Sequence, residues 1–177
     1  MMHRRALFWA APALALAALG VGVAVASGQG EGRLTGPELE EMLKAANLKY
    51  VPLEGAKGNA FILPFESENI PELAVVVQLS EKGEFVSIYA PIMKVPADAP
   101  AEFYRYLLSL NDKVWQAKFA ISRDGDLYFC FEVPSRLLDV RELAEDVYIT
   151  ARFVDKTFSS LKRALSGEVP GGEGAQT

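Results

Sequence analysis

Residues 115–165 read WQAKFAISRDGDLYFCFEVPSRLLDVRELAEDVYITARFVDKTFSSLKRAL, and within them the hydrophobic period changes from two to that of a helix. Trp115, Ala117, Phe119 and Ile121 alternate with their neighbours, Arg123-Asp124-Gly125-Asp126 has turn chemistry, and Leu127, Phe129, Phe131 and Val133 alternate on the return. This predicts an antiparallel hairpin whose second strand shows Tyr128, Cys130 and Glu132 on its opposite face. Asp139 and Glu142 then form a capping pair with Leu138 and Leu143 at staple positions. Val140, Leu143, Val147, Ala151, Val154, Phe158, Leu161 and Leu165 recur at threes and fours for about seven turns, a stripe that must be buried.

Working outward, Thr35-Gly36-Pro37-Glu38 is a capping box that opens a short helix to about Ala46, with Asn47 suited to a left-handed stop. Period two follows. Lys49 to Leu53 is a short strand candidate, Gly55 to Asn59 a turn, and Ala60 to Glu66 a strand with Phe61, Leu63 and Phe65 on one face, limited by Pro64. Leu73 to Ser80 and Phe85 to Ala90 make a hairpin around Glu81-Lys82-Gly83-Glu84. Val95 to Pro100 breaks the sheet, with Asp98 expected to cap a second helix that carries Phe103, Tyr106, Leu107 and Leu110 and stops at Asn111-Asp112. The predicted order is α-β-β-β-β-α-β-β-α, an α+β fold in which an antiparallel sheet has helices on one face. Phe61, Phe65, Phe85, Phe103, Trp115, Phe119, Phe129, Phe131 and Phe158 are assigned mostly to inward faces. The second face of such a sheet is solvated or an interface, and Tyr89, Tyr128, Cys130 and Glu132 are the candidate partner interface there; Tyr104 has no clear side.

The amino terminus is a separate matter. Met1 to Arg5 is basic and residues 6–26 contain no charge, so 1–26 reads as a signal peptide cut after Ala24-Val25-Ala26, or as an uncleaved membrane anchor. Residues 27–33 are a linker, 34–166 the folded domain and 167–177 a Gly-rich disordered tail. Export to periplasm, envelope or exterior is the expectation in either case. The formal charge of −5 becomes −7 once Arg4 and Arg5 are lost, and scattered basic residues among more numerous acids argue against nucleic acid as a partner.

Catalytic chemistry finds little support. If the signal is cut the one histidine, His3, goes with it, and the mature chain then has no Ser-His-Asp triad, Cys-His pair or imidazole-bound zinc. Ser159 stands three before Lys162, on what reads as a solvated helix face. Asp124 and Asp126 suit a turn for backbone reasons, and Leu127 and Tyr128 do not continue a calcium loop. Gly55 and Gly58 belong to a turn, not to a phosphate loop. Cys130 is the single cysteine and reads as a half-buried sheet residue. No catalytic residue, metal or cofactor is expected.

Leu107-Leu108-Ser109-Leu110-Asn111, the run from Lys118 to Leu127, Glu132-Val133-Pro134 with Leu138-Asp139, and Glu84 to Pro91 together resemble the YbjN family, over about Leu34 to Leu165. That resemblance implies the fold of type III secretion chaperones and a non-enzymatic domain that binds other proteins, frequently as a homodimer. An export signal departs from the family's usual cytoplasmic setting. The expected function is therefore an exported protein-binding domain of chaperone-like or regulatory kind. The alternative is an envelope carrier or sensor of a small ligand held between the last helix and the sheet.

Overall fold

The computed structural model describes residues 33–168. The signal or anchor at 1–26, linker residues 27–32 and the tail from 169 lie outside the described residues. The elements are α1 (Gly36–Ala45), β1 (Val51–Pro52), β2 (Ala60–Pro64), β3 (Ala74–Leu79), β4 (Phe85–Lys94), α2 (Ala101–Asn111), β5 (Ala117–Ile121), β6 (Asp126–Pro134), a short 3-10 turn (Ser135–Leu137) and α3 (Val140–Leu165). Their order is the one the hydrophobic pattern predicts. All strand pairs are antiparallel, in the order β1-β2-β3-β4-β6-β5. The crossover through α2 therefore places β5 at the edge and returns β6 beside β4.

Side-chain alternation sets the core. Phe61 and Leu63, Val75 and Val77, Val86 and Ile88, and Leu127 and Phe129 point to one face and are almost wholly buried. Against them lie Leu39 and Leu43 of α1, Phe103 and Leu107 of α2, and Leu143, Val147, Val154 and Leu161 of α3. α3 runs across β3, β4 and β6 and touches both other helices. Phe153 of α3 stacks at 4.9 Å on Phe129 and at 5.8 Å on Phe119, which ties the helix to the β5–β6 hairpin.

The helix termini are built as their sequences dictate. Thr35 accepts from the Glu38 N–H at 3.4 Å while Glu38 accepts from the Thr35 N–H at 2.8 Å. Asn47 closes α1 with φ of 54°. Asp139 accepts from the Glu142 N–H at 2.8 Å. Gly83, at φ 71°, sits where a Cβ would meet the Leu34 carbonyl oxygen at 2.2 Å, so only glycine lets the chain before α1 pass the β3–β4 turn. Asp155 of α3 holds the β2–β3 connection, accepting from Ser67 Oγ at 2.6 Å, Asn69 N at 2.9 Å and Glu68 N at 3.4 Å. Those donors hold its carboxyl below the usual range.

Several local expectations are corrected. Trp115 is 90% exposed, because Gln116 takes a left-handed φ of 60° and breaks the alternation before β5 begins. Phe85 is 49% exposed: it shares parity with Ser87 and Tyr89, while Val86, Ile88 and Ala90 face the core. Asp98 does not cap α2, whose N-cap is Pro100 with no side-chain bond. β4 continues past Ala90 to Lys94 through Pro91, because its pairing with β3 ends at Tyr89 and only β6 accompanies it further, across a bulge between Pro91 and Met93. Of the proposed α3 stripe, Phe158 and Leu165 are half-buried and Val140 is exposed, whereas Asp146, Thr150 and Thr157 are buried.

Asp146 and Thr150 stand one helical turn apart on the inward side of α3, and the Thr150 hydroxyl has no partner. Burial, with the nearby charges of Glu142 and Glu145, pushes the Asp146 carboxyl up to about 6. A carboxyl raised above its unfolded value disfavours folding while ionised, so the penalty is present above about pH 6 and fades as the pH falls below it. Asp146→Asn should raise the melting temperature at pH 7.5, by the equivalent of about 1–2 kcal/mol, with the advantage shrinking towards pH 5. An equal advantage at both pH values would refute the ionisation argument. Leu143→Ala, at a fully buried site, should cost about 2–5 kcal/mol in chemical denaturation; a loss under about 1 kcal/mol would mean that the core is elsewhere.

Candidate functional site

The three helices share one face of the sheet, and the other face carries a line of side chains that strand register puts in a single row. Val51 pairs with Ile62, Ile62 with Val76, Val76 with Tyr89, Tyr89 with Cys130, and Cys130 with Lys118. Directly paired residues point to the same face, so five successive members of this row are apolar or aromatic on a surface that none of the described helices covers. Val76 and Cys130 keep only 8% and 5% of their exposure there, shielded by their row neighbours.

Within this face lies a concavity of about 480 Å³. Tyr89 and Tyr128 form its aromatic part, with ring centroids 6.3 Å apart at 71°, an edge-to-face pair. Small side chains make room beside them: Ser87 stands in register between Gln78 and Glu132, and Ala120 opposite Tyr128. The Tyr89 hydroxyl donates to Gln78 Oε1 at 3.3 Å, and burial raises its pKa. The rim is charged but balanced. Lys118 is bonded to Glu132 across β5 and β6, which raises the lysine's pKa, and Lys94 reaches Asp126 at 3.0 Å. An apolar floor inside a polar, charge-neutral rim is the anatomy of a protein contact surface.

All four residues singled out from the sequence, Tyr89, Tyr128, Cys130 and Glu132, line this concavity. Tyr104 is not among them; it lies on α2. The concavity is on the face away from α3, whereas the ligand-carrier reading places its pocket between α3 and the sheet. Ile62, Val76 and Lys118 escaped sequence reasoning, since their place in the row depends on register; the run Val75-Val76-Val77, apolar on both faces, was the available signal. Asp126 serves the turn, accepting from Lys94 and bonding Ser122. Among the described residues no three His, Cys, Asp or Glu side chains converge.

A six-stranded antiparallel sheet with its helices on one side defines the class: this is the α+β fold of type III secretion chaperones. The fold is shared with a chain of the ExsC–ExsE complex, at TM-score 0.53 and 15% identity over 71% of this chain and 92% of that one. It is shared also with a chain of the heterodimeric ExoU–SpcU complex from the type III secretion system of Pseudomonas aeruginosa, at TM-score 0.50 and 18% identity over 73% of this chain and 98% of that one. Residues 37–161 match YbjN, described as "Putative bacterial sensory transduction regulator", and the chain belongs to that family. No curated protein matches its sequence.

Burial raises the pKa of the Cys130 thiol, with the Lys118 charge opposing, so the thiolate that reacts is scarce at neutral pH. Native protein should react with an aromatic disulfide reagent at least about 10-fold more slowly than free cysteine at pH 8, and reach the free-thiol rate in denaturant. A native rate equal to that of free cysteine would show that the row does not shield the sulfur.

Proposed function

We propose that this protein is an exported protein-binding domain that lays a segment of a partner protein across the helix-free face of its sheet. One observation carries the reading: the row from Val51 to Cys130, apolar or aromatic on five adjacent strands, is continuous with the concavity at Tyr89 and Tyr128 and is covered by none of the described helices. Val51 is exposed and Ile62 and Tyr89 are half-buried, so part of the band stands at the surface, and contiguous apolar surface of this kind marks interaction sites. Both structural neighbours were solved in complexes with a second protein, which supports a protein rather than a metabolite as the occupant. The balanced rim pairs favour a partner segment of low charge, for which neither Lys118 nor Glu132 has to be left unpaired. Self-pairing through the same face is the homodimer version of this reading.

A photo-reactive residue in place of Ser87, on the concavity, should cross-link the protein to a partner in living cells, while the same residue in place of the exposed Arg152 on α3 should not. Equal adducts from both positions, or none from Ser87, would overturn the proposal. An adduct at twice the chain mass would identify a second copy as the occupant. The exported half of the proposal rests on the charge-free run at 6–26 behind Arg4 and Arg5. The processed protein should begin at Ser27 on amino-terminal sequencing; an intact Met1 or Met2 start in the membrane fraction would show an anchor, and an intact start in the cytoplasm would refute export.

A further inference from the structure

Among the described residues no strand pairs with the outer edge of β5, and a side chain occupies it. Asn111, the last residue of α2, donates from Nδ2 to the Phe119 carbonyl at 3.1 Å and accepts from the Phe119 N–H at Oδ1 at 2.7 Å. An antiparallel strand directs both backbone groups of one residue to the same side. Since those of Phe119 meet Asn111, they point away from β6, and Phe119 and Phe129 form a pair without mutual hydrogen bonds. The primary amide of Asn111 thus makes the two bonds that one residue of an added strand would make, at the middle residue of a five-residue strand.

We infer that Asn111 closes the β5 edge against strand addition, and that without it two copies pair edge to edge through β5. An open edge is a template for another strand, and proteins protect such edges by shortening, proline, charge or cover. The opposite edge carries the first two devices, because β1 has only two residues and one is Pro52. β5 is longer and contains no proline, its one charge, Lys118, is paired with Glu132 of β6, and its central backbone pair is fixed by one side chain held at the end of α2. Around it lie features that favour pairing: Trp115, 90% exposed, precedes the strand, and Ile121, 36% exposed, ends it. The alternation that turns Phe119 outward turns the backbone groups of Ala117 and Ile121 outward as well, so a second β5 in antiparallel register meets a ready ladder once the Asn111 amide is gone. A second copy is the occupant because two antiparallel β5 strands centred on Phe119 set Ala117 of one against Ile121 of the other about a twofold axis, so each supplies the ladder that the other lacks. This inference is independent of the partner proposed for the sheet face.

The test is light-scattering mass over a concentration series for the purified wild-type protein, Asn111→Ala, and Asn111→Ala with Ile121→Lys. Asn111→Ala should rise to about twice the wild-type mass as concentration increases, and the added edge lysine should return it to the wild-type value, since a charge on an edge opposes pairing. A folded Asn111→Ala protein that keeps the wild-type mass throughout would overturn the inference. So would an association that survives Ile121→Lys, which would place the contact elsewhere. If Asn111→Ala does not fold, Asn111→Asp decides. It still accepts from the Phe119 N–H but leaves the carbonyl open, and should raise the mass part of the way; an unchanged mass would again overturn the claim.

Discussion

The burial of one apolar stripe of α3 against one face of the sheet governs everything else in this molecule. Leu143, Val147, Val154 and Leu161 are fully buried on that face, and each contributes about 1.5–3 kcal/mol by leaving water. α1 and α2 gather beside α3 because they too must bury a stripe, and the covered face is where the apolar surface of β2, β3, β4 and β6 points. None of the three described helices lies on the other side. A sheet covered on one face only is stable in water when its second face is polar, and here the second face holds Ile62, Val76, Tyr89, Tyr128 and Cys130 in close array.

What keeps that surface usable is the treatment of its borders. Lys118 with Glu132 and Lys94 with Asp126 frame the aromatic region with charge of both signs. Brevity and Pro52 close the β1 edge, and the Asn111 amide closes β5. With both edges closed to an incoming strand, the apolar surface that the sheet still offers lies on its face, in side chains and not in backbone groups. The β5 closure is also coupled to the core. Phe119, whose backbone Asn111 holds, packs its ring at 5.0 Å on Phe129 and at 5.8 Å on Phe153 of α3. The edge, the hairpin and the long helix are therefore fixed by one residue.

The element order, the caps of α1 and α3 and the inward set of β6 were legible because they rest on local rules: a Thr or Asp three before an acid, or a period of two between turns. The failures share a cause in longer-range geometry. Trp115 fits the alternation of β5, but one left-handed residue at Gln116 uncouples it. Phe85 belongs to a strand whose parity its neighbours set, and Pro91 is tolerated in β4 because the pairing with β3 has already ended. Tyr128, Cys130 and Glu132 were accessible as an outward set because alternate residues of one strand share a face, and Tyr89 of β4 joins them by its pairing with Cys130. Ile62, Val76 and Val51 join them only through register, which no single strand's sequence contains. Asn111 is read from its sequence as a helix stop, and its second task, on a backbone eight residues away, is a property of the α2–β5 turn.

α3 itself is not uniform along its length. Its second half buries Val154 and Leu161 and is held from outside by Asp155, whose carboxylate takes three donors from the β2–β3 connection. Its first half buries Leu143 and Val147 too, but sets beside them a carboxyl raised to about 6 and a hydroxyl with no partner, while Tyr148 and Ile149 are about half exposed on the other side. Polar groups inside and apolar ones outside weaken a helix docked by its amphipathicity, since each buried polar atom without a partner costs about 1–3 kcal/mol. The amino-terminal turns of α3 therefore carry the polar cost of docking the helix, while the carboxy-terminal ones are tied to the β2–β3 connection as well as to the sheet.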